Sequence, residues 1–209
     1  METVRFDELE LQPQILRGIK AMGFEEATPI QSQAIPVVMS GVDVIGQAQT
    51  GTGKTASFGI PVLHKVDPNK KKTQVIILSP TRELAIQVSE EIRKLSKYMH
   101  GIKVLAVYGG QDINRQIKAL KGGAQIIIGT PGRMNDHLRK ENFDAATVTT
   151  LVIDEFDKCL EFGFHDEMAE VIGQLLSLKK RILLSATDTE EIPQFAGVGG
   201  DSPSSGSRL

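Results

Sequence analysis

The segment VDVIGQAQTGTGKT, residues 42–55, joins a short apolar run to a glycine-rich loop that ends in Lys-Thr. From Ala48 onward it matches the phosphate-binding pattern G-x-x-x-x-G-K-[ST], except that Ala48 replaces the first glycine. Gly51 and Gly53 allow the backbone N–H groups to turn inward around phosphate oxygens. A helical pattern follows, and the positive end of a helix dipole favours the same anions. The segment therefore predicts a strand–loop–helix unit that binds a nucleotide.

Two side chains at the end of this loop carry the expected chemistry. Lys54 can reach the terminal phosphates of a nucleotide, and Thr55 can offer its hydroxyl to Mg²⁺. The alternative is a glycine-rich turn with an incidental Lys-Thr. Average composition gives such a chance match on the order of once in a hundred chains of this length, so we expect nucleotide binding.

Five further Val/Ile/Leu runs alternate with helical patterns along the chain. The runs are continuous or nearly so, which indicates strands buried on both faces, as in a parallel sheet covered by helices. The clearest helical pattern spans Arg82–Lys97, with apolar residues on one stripe and charged residues opposite. We therefore predict an α/β fold with a doubly wound parallel sheet, whose ligands bind at the carboxyl ends of the strands. The six predicted strands are Val42–Gln47, Gln74–Ser79, Lys103–Tyr108, Gln125–Gly129, Thr150–Ile153 and Arg181–Leu184.

Composition restricts the class of protein. The 209 residues include 24 Lys+Arg and 26 Asp+Glu, and the net charge of −2 gives no general attraction to nucleic acid or acidic membranes. Cys159 is the single cysteine, which excludes an internal disulfide and fits a reducing cytoplasm. No apolar run approaches the ~20 residues that span a bilayer, and METVRFDELELQPQ is too acidic and polar for a signal peptide. We expect a cytoplasmic monomer without a membrane partner.

We expect one domain over residues 1–195 and a tail over residues 196–209. The tail, AGVGGDSPSSGSRL, contains four Gly, four Ser and one Pro. This is the composition of a linker and predicts disorder. It leaves open whether the tail is an interdomain linker or an artificial addition.

A pair of acids follows another predicted strand in LVIDEFD, residues 151–157. Asp154 can hold Mg²⁺ through its water shell, and Glu155 can orient or deprotonate an attacking water. Many strands simply end in a solvated Asp. Together with the phosphate-binding loop, however, the second acid favours nucleotide hydrolysis over binding alone.

Four shorter segments also follow predicted strands. Separately, each can be explained as turn or helix-cap chemistry, with Thr81 and Thr130 as caps. Together they bring hydroxyls, backbone N–H groups and arginines to one edge of the sheet, where they could contact the phosphates of a nucleic-acid strand. The segments are PTREL (80–84), Gly109-Gly110, TPGR (130–133) and SAT (185–187).

In this order, GFEEATPIQ, AQTGTGKT, PTRELA, GG, TPGR, DEFD and SAT resemble the first RecA-like domain of the DEAD-box ATP-dependent RNA helicases. The resemblance runs from about Phe6 to Thr187. It implies a RecA-like P-loop NTPase fold and the use of Mg-ATP to separate RNA duplexes locally, together with a second RecA-like domain. It also implies RNA contacts to phosphates and sugars that do not depend on base sequence.

The resemblance assigns individual residues as well. It implies catalytic roles for Lys54, Asp154 and Glu155, and coupling of hydrolysis to RNA for Asp157, Ser185 and Thr187. It implies that Mg²⁺ is held by Thr55 and, largely through water, by Asp154. The implied nucleotide-binding residues are Phe6, Thr28, Gln31, Gln49, Thr50, Gly51, Thr52, Gly53, Lys54 and Thr55. The implied RNA-binding residues are Thr81, Arg82, Gly110, Thr130 and Arg133.

Two nucleotide-binding residues have specific implied roles. Gln31 would hydrogen-bond the adenine edge, as a side-chain amide can. Phe6 lies where the family keeps an aromatic residue that stacks on adenine. The alternative for Phe6 is an ordinary phenylalanine at the edge of the core.

The chain departs from the family pattern in two ways. Phe156 replaces the alanine of the DEAD motif, and its larger ring requires a pocket next to Ser185-Ala186-Thr187. We expect this ring to be buried, because Leu160 and Phe162 follow closely. In addition, nothing after Thr187 resembles the second RecA-like domain, so we interpret the chain as half of an enzyme.

Other functions stay possible on the sequence alone. The first alternative is an ATP-dependent RNA clamp or scaffold that does not hydrolyse ATP. The second is a DNA helicase or another P-loop NTPase, which PTREL and TPGR disfavour when they occur beside the Gln31 segment.

Overall fold

The computed structural model describes residues 4–41, 43–47, 53–196 and 207–208. Its strands are β1 (Val4–Arg5), β2 (Glu26–Ala27), β3 (Val44–Gln47), β4 (Val75–Leu78), β5 (Val104–Val107), β6 (Ile126–Gly129), β7 (Thr150–Ile153), β8 (Lys180–Ser185) and β9 (Ser207–Arg208). Its α-helices are α1 (Pro13–Ala21), α2 (Pro29–Met39), α3 (Lys54–Lys65), α4 (Arg82–Leu95), α5 (Ile113–Lys121), α6 (Pro131–Arg139), α7 (Phe156–Glu161), α8 (His165–Gln174) and α9 (Ile192–Phe195). The six predicted strands are all present, with ends within two residues of the predicted ones.

Strands β3 to β9 form one parallel sheet in the order β5-β6-β4-β7-β8-β3-β9. Strands β1 and β2 form a separate antiparallel pair. Successive residues of β4 pack into different cores, with Val75 and Ile77 on one side and Ile76 and Leu78 on the other. The first core includes residues of α1 to α4, and the second includes residues of α6 to α9. These two cores confirm the prediction of a doubly wound sheet covered by helices on both faces.

The register of the central strands aligns their carboxyl ends. Leu78 at the end of β4 lies opposite Gly129 of β6 and Ile153 of β7. Gln47 at the end of β3 lies opposite Ser185 of β8. As a result, the segments that follow these strands begin side by side along one edge of the sheet, as predicted.

Local capping explains where the helices of this edge begin. The side chain of Thr81 accepts a hydrogen bond from Leu84 N at 3.1 Å, which fixes the start of α4. Thr130 occupies the same position before α6, but its side chain makes no capping hydrogen bond. Of the two predicted caps, the structure therefore shows the side-chain cap at Thr81.

Most of the Gly/Ser-rich tail lies outside the described residues. The two tail residues that form β9 pair in parallel with β3, through Val44 and Ile45. The division of the chain at residue 195 and the character of the tail stay predictions. Within the described part of the chain, none of the helices combines the length and apolar character needed to cross a bilayer.

Candidate functional site

The end of the glycine-rich loop leads directly into α3. Gly53 precedes the helix with a φ of +95°, a left-handed conformation that glycine adopts without strain. A Cβ atom at Gly53 would lie 2.6 Å from Nε2 of Gln31, so the close packing also favours glycine. Lys54 and Thr55 form the first turn of the helix and are each 7% exposed. The predicted phosphate-binding residues Gln49, Thr50, Gly51 and Thr52 lie outside the described residues.

Lys54 brings the glycine-rich loop and the acidic segment together. Its Nζ lies 2.8 Å from Oδ1 of Asp154 and 3.5 Å from Oε1 of Glu155. The Lys54 and Asp154 side chains are 9% and 0% exposed, whereas Glu155 is 18% exposed. Burial raises the pKa of the Asp154 carboxyl, and the Lys54 ammonium opposes this rise. The three residues predicted to be catalytic therefore form one charged cluster.

The oxygen atoms of Asp154 and Thr55 are suitable ligands for Mg²⁺. Oδ2 of Asp154 is buried without a hydrogen-bond partner among the described residues, so it can accept from a water of a metal shell. The described residues contain no cluster of three or more His, Cys, Asp or Glu that could bind a metal on their own. Mg²⁺ keeps most of its waters and binds through one or two carboxylates together with substrate phosphates. Asp154 and the Thr55 hydroxyl match that requirement.

Glu155 has an unusual backbone conformation for a non-glycine residue, with φ +48° and ψ 53°. It lies at the turn where β7 ends and α7 begins. L-residues enter the left-handed region at a cost on the order of 1 kcal/mol, and such strain concentrates at functional sites. The turn leaves the Glu155 carboxylate partly exposed beside Lys54.

A second set of contacts connects the acidic segment to the segment after β8. Oγ1 of Thr187 donates to Oδ2 of Asp157 at 3.1 Å. Oγ of Ser185 donates to the carbonyl oxygen of Thr187 at 2.7 Å, which holds the turn that presents Thr187. The three residues predicted to couple hydrolysis to RNA therefore form one chain of hydrogen bonds, although phenylalanine replaces alanine at position 156.

Gln31 links the segment before the loop to α3. Its Oε1 accepts from Thr28 N at 2.9 Å and its Nε2 donates to the carbonyl oxygen of Gly53 at 3.1 Å. Thr28 and Gln31 form a reciprocal capping box at the start of α2. Both ends of the amide thus have partners within the chain, and the adenine-reading role of Gln31 stays a prediction.

The Phe6 ring lies in the first core and is 3% exposed. It also borders a pocket of about 350 Å³, which is lined by Arg5, Phe6, Asp7, Lys20, Gly23, Phe24 and Glu25. Its burial fits the alternative of a phenylalanine at the edge of the core. Stacking on adenine stays a prediction, with this pocket as the open space next to the ring.

The predicted RNA-binding arginines are held by neighbouring segments of the same sheet edge. The guanidinium carbon of Arg82 lies 4.9 Å from the centre of the Tyr108 ring, a cation–π contact. Gly110 lies in the turn after β5 and has a φ of +86°. Nη1 of Arg133 donates to the carbonyl oxygen of Gln111 at 3.0 Å and to Oε1 of Gln116 at 3.1 Å.

Sequence reasoning missed the residues behind these arginines. Gln116 is 3% exposed and His137 is 0% exposed, and their side chains hydrogen-bond to each other. One signal was available in the sequence. Gln116 lies between Ile113 and Leu120 on the buried stripe of α5, where the helical period favours an apolar residue.

Acid should destabilise the fold through His137. Burial lowers the pKa of His137 to about 4, and the Arg133 cation adds to this effect. An unfolded histidine has a pKa of about 6.5, so the unfolded chain binds more protons between these values and stability falls as the pH drops. We therefore compare the free energies of unfolding of the parent and His137→Gln by urea unfolding. The difference between them should be about 2–3 kcal/mol smaller at pH 4.5 than at pH 7.

His165 provides the control for this measurement. Its side chain is 41% exposed, and a hydrogen bond to Asp166 raises the pKa of its imidazole. Its charge therefore forms more readily in the folded state, so His165→Gln should not reproduce the loss of acid sensitivity. An unchanged acid sensitivity in His137→Gln would contradict the prediction.

The sequence is similar to those of known helicases. A sequence model of the DEAD/DEAH box helicases matches residues 28–195. The chain is 50% identical over 188 residues to the ATP-dependent RNA helicase CshA of Listeria monocytogenes, covering 90% of this chain and 36% of that protein. It is 48% identical over 194 residues to the DEAD-box ATP-dependent RNA helicase CshA of Bacillus subtilis, covering 93% of this chain and 39% of that protein.

The fold also matches a solved structure. The crystal structure of a DEAD box protein from the hyperthermophile Methanococcus jannaschii aligns with a TM-score of 0.90 and 38% identity. The alignment covers 99% of this chain and 56% of that one. The chain thus spans little more than a third of the length of the two curated relatives above.

Proposed function

Since the chain belongs to the DEAD/DEAH box helicase family, we propose that it is the ATP-binding part of an ATP-dependent RNA helicase. The observation that carries this proposal is the contact of Lys54 with Asp154 and Glu155. This contact joins a phosphate-binding loop to two carboxylates at one edge of the sheet. The second, partly exposed acid beside the lysine favours hydrolysis over binding alone, because it can orient and deprotonate a water.

Each residue of the cluster has its own task in ATP hydrolysis. Lys54 offers its ammonium to the terminal phosphates, at the positive end of α3. Thr55 and Asp154 would hold Mg²⁺, which supplies positive charge against the phosphates when it is bound. Glu155 orients the attacking water and accepts its proton.

We propose that RNA lies along the same sheet edge, on the segments after β4, β5 and β6. Arg82 and Arg133 offer charge to phosphates, whereas Thr81, Gly110 and Thr130 offer hydroxyl and backbone groups. Such contacts position a strand without reading its bases. The bond of Thr187 to Asp157 then connects the acidic segment to the segment after β8.

The wider setting follows from the same assignment. We propose that the chain acts in the cytoplasm as a monomer, together with a second RecA-like domain. That domain would complete both the nucleotide site and the RNA cleft.

Nucleotide preference tests the proposed function. We expect ADP to bind more tightly than GDP in calorimetric titration, because the amide of Gln31 matches the donor–acceptor edge of adenine. Lys54→Ala should weaken both nucleotides by about tenfold or more, since the lysine serves the phosphates and not the base. Equal affinities of the parent for ADP and GDP would remove the adenine-reading role of Gln31.

Gln31→Ala should reduce the preference for ADP. The matched control is Gln33→Ala, because Gln33 is an exposed glutamine on the same helix. Unfolding curves of both variants are needed beside the titrations, since Gln31 also caps α2. No binding of either nucleotide by the folded parent would contradict the proposed function as a whole.

A further inference from the structure

A hydrogen-bonded network centred on Gln116 lies directly behind Arg133. Oε1 of Gln116 accepts from Nη1 of Arg133 at 3.1 Å and from Nε2 of His137 at 2.8 Å. Its Nε2 donates to the carbonyl oxygen of Tyr108 at 3.0 Å and to Oε1 of Gln111 at 2.9 Å. The side chain therefore uses two acceptor and two donor positions, which is the full capacity of an amide.

The orientation of His137 is fixed from its other side. Its Nδ1 lies 2.9 Å from Nδ2 of Asn142, and an amide nitrogen can only donate. Nδ1 therefore accepts, so the proton of the neutral ring lies on Nε2, which faces Gln116. Both donors to Oε1 of Gln116 are thus determined, one from His137 and one from Arg133.

The network reaches all three segments to which we assign RNA contacts. Tyr108, whose carbonyl oxygen is bonded to Gln116, carries Arg82 on its ring and precedes the Gly109-Gly110 turn. Arg133 of TPGR is bonded both to Gln116 and to the carbonyl oxygen of Gln111. Gln116 therefore connects the loop after β5 to α6, in addition to the direct bond from Arg133 to Gln111.

Arg133 has a second, charged partner close by. Its Nε forms a long ion pair, 3.7 Å from Oδ2 of Asp136, one turn further along α6. Oδ1 of Asp136 also lies 3.6 Å from Nη1 of Arg139, so Asp136 is shared between two arginines. The bond to Gln116 holds Nη1 without adding a negative charge, so it orients the arginine and keeps the contact with Asp136 long.

We propose that Gln116 is a positioning residue for RNA binding, which holds Arg133 in a fixed place relative to the Gly109-Gly110 turn. The proposal rests on the proposed function, since it assumes that Arg133 contacts an RNA backbone. Without Gln116, Nη1 of Arg133 loses one of its two acceptors and is left with the carbonyl oxygen of Gln111. The ion pair with Asp136 then closes, and RNA affinity falls although Gln116 itself touches no RNA.

The test compares two buried glutamines. Gln116→Met removes the network with a side chain of similar length. Gln125→Met is the matched control, because Gln125 is 1% exposed and lies away from the arginines, at the amino end of β6. Its side chain accepts from Lys103 N at 2.8 Å and donates to the carbonyl oxygen of Gly101 at 2.7 Å. The measured quantities are the Kd for a fluorescently labelled single-stranded RNA at low salt, the Kd for ADP, and the melting temperature.

We expect Gln116→Met to weaken RNA binding about 5- to 20-fold and Gln125→Met to change it less than about twofold. ADP affinity should stay within about twofold of the parent in both variants. In an Arg133→Ala background, Gln116→Met should have little further effect on RNA binding, because a residue that acts through Arg133 has nothing left to position. A purely structural role of Gln116 would not produce this dependence on Arg133.

Different failures have different meanings. If Arg133→Ala weakens RNA binding but Gln116→Met does not, or if the two effects multiply, the positioning role is wrong and the proposed function stands. If the folded parent binds ADP but no RNA, or if Arg133→Ala has no effect, the RNA contact of Arg133 is wrong and the positioning role falls with it. Should Gln116→Met fail to fold, Gln116→Asn serves the same cycle, because it keeps a neutral amide that is one methylene too short to reach Arg133.

Discussion

The 209-residue chain should hydrolyse ATP about 10³–10⁵ times more slowly than the same chain fused to a second RecA-like domain, because a positioned arginine accelerates phosphoryl transfer by that order. The two arginines within the motifs that resemble the family, Arg82 and Arg133, already have partners away from the nucleotide site. Arg82 lies on the Tyr108 ring, and Arg133 is bonded to Gln111 and Gln116. Neither contacts the cluster of Lys54 with its two acids, so nucleotide binding should persist while turnover is slow.

A steady-state ATPase assay with and without RNA checks this expectation on both proteins. Glu155→Gln in the fused protein is the control, because it should remove turnover and leave ADP binding in place. RNA binding by the 209-residue chain should also be weak, since its net charge is slightly negative. RNA-stimulated turnover by the short chain at the rate of the fused one would mean that a catalytic arginine lies within these 209 residues.

Phe156→Ala should cost about 3–5 kcal/mol of stability, since it removes a large ring from a filled core. Phe156 is 0% exposed in the second core and meets the Phe195 ring edge-on, with 5.2 Å between ring centres. For a domain of this size, that loss corresponds to a melting temperature lower by roughly 6–20 °C. Calorimetric or circular-dichroism melting measures it directly.

Phe162→Ala is the matched control for this substitution. Phe162 lies just beyond the end of α7 and is 54% exposed. Its truncation should change stability by about 0.5 kcal/mol or less. A Phe156→Ala variant that melts with the parent would show that the ring contributes nothing to the core, despite its burial.

Phe156 also shows how far the sequence alone leads. Its burial was predicted from the two apolar residues that follow it, and the burial is confirmed. The reason was partly wrong, because Phe162 points largely to solvent and the ring instead packs on Phe195 of α9. That partner lies far along the chain, and only the tertiary packing of α7 against α9 brings the two rings together.

The sheet was the most predictable part of the fold. Strands buried on both faces have continuous apolar runs such as VIIL and IIIG, which no surface element would tolerate. The carboxyl ends of such strands share one edge, so the meeting of Lys54 with Asp154 and Glu155 followed from topology. The Gln116 network did not follow, because hydrogen bonds between α5 and α6 depend on how the two helices pack. The position of Gln116 on the buried stripe of α5 indicates a buried polar side chain but does not identify its partners.

The backbone conformation of Glu155 lowers stability at a position where the side chain is proposed to act in hydrolysis. A chain selected for stability alone would place glycine at this turn, because glycine adopts φ +48° without the cost that a Cβ atom imposes. Glycine would also delete the carboxylate beside Lys54. Glu155→Gly would therefore relax the turn and remove the proposed base at the same time. A gain in thermal stability at this residue would be accompanied by a loss of turnover.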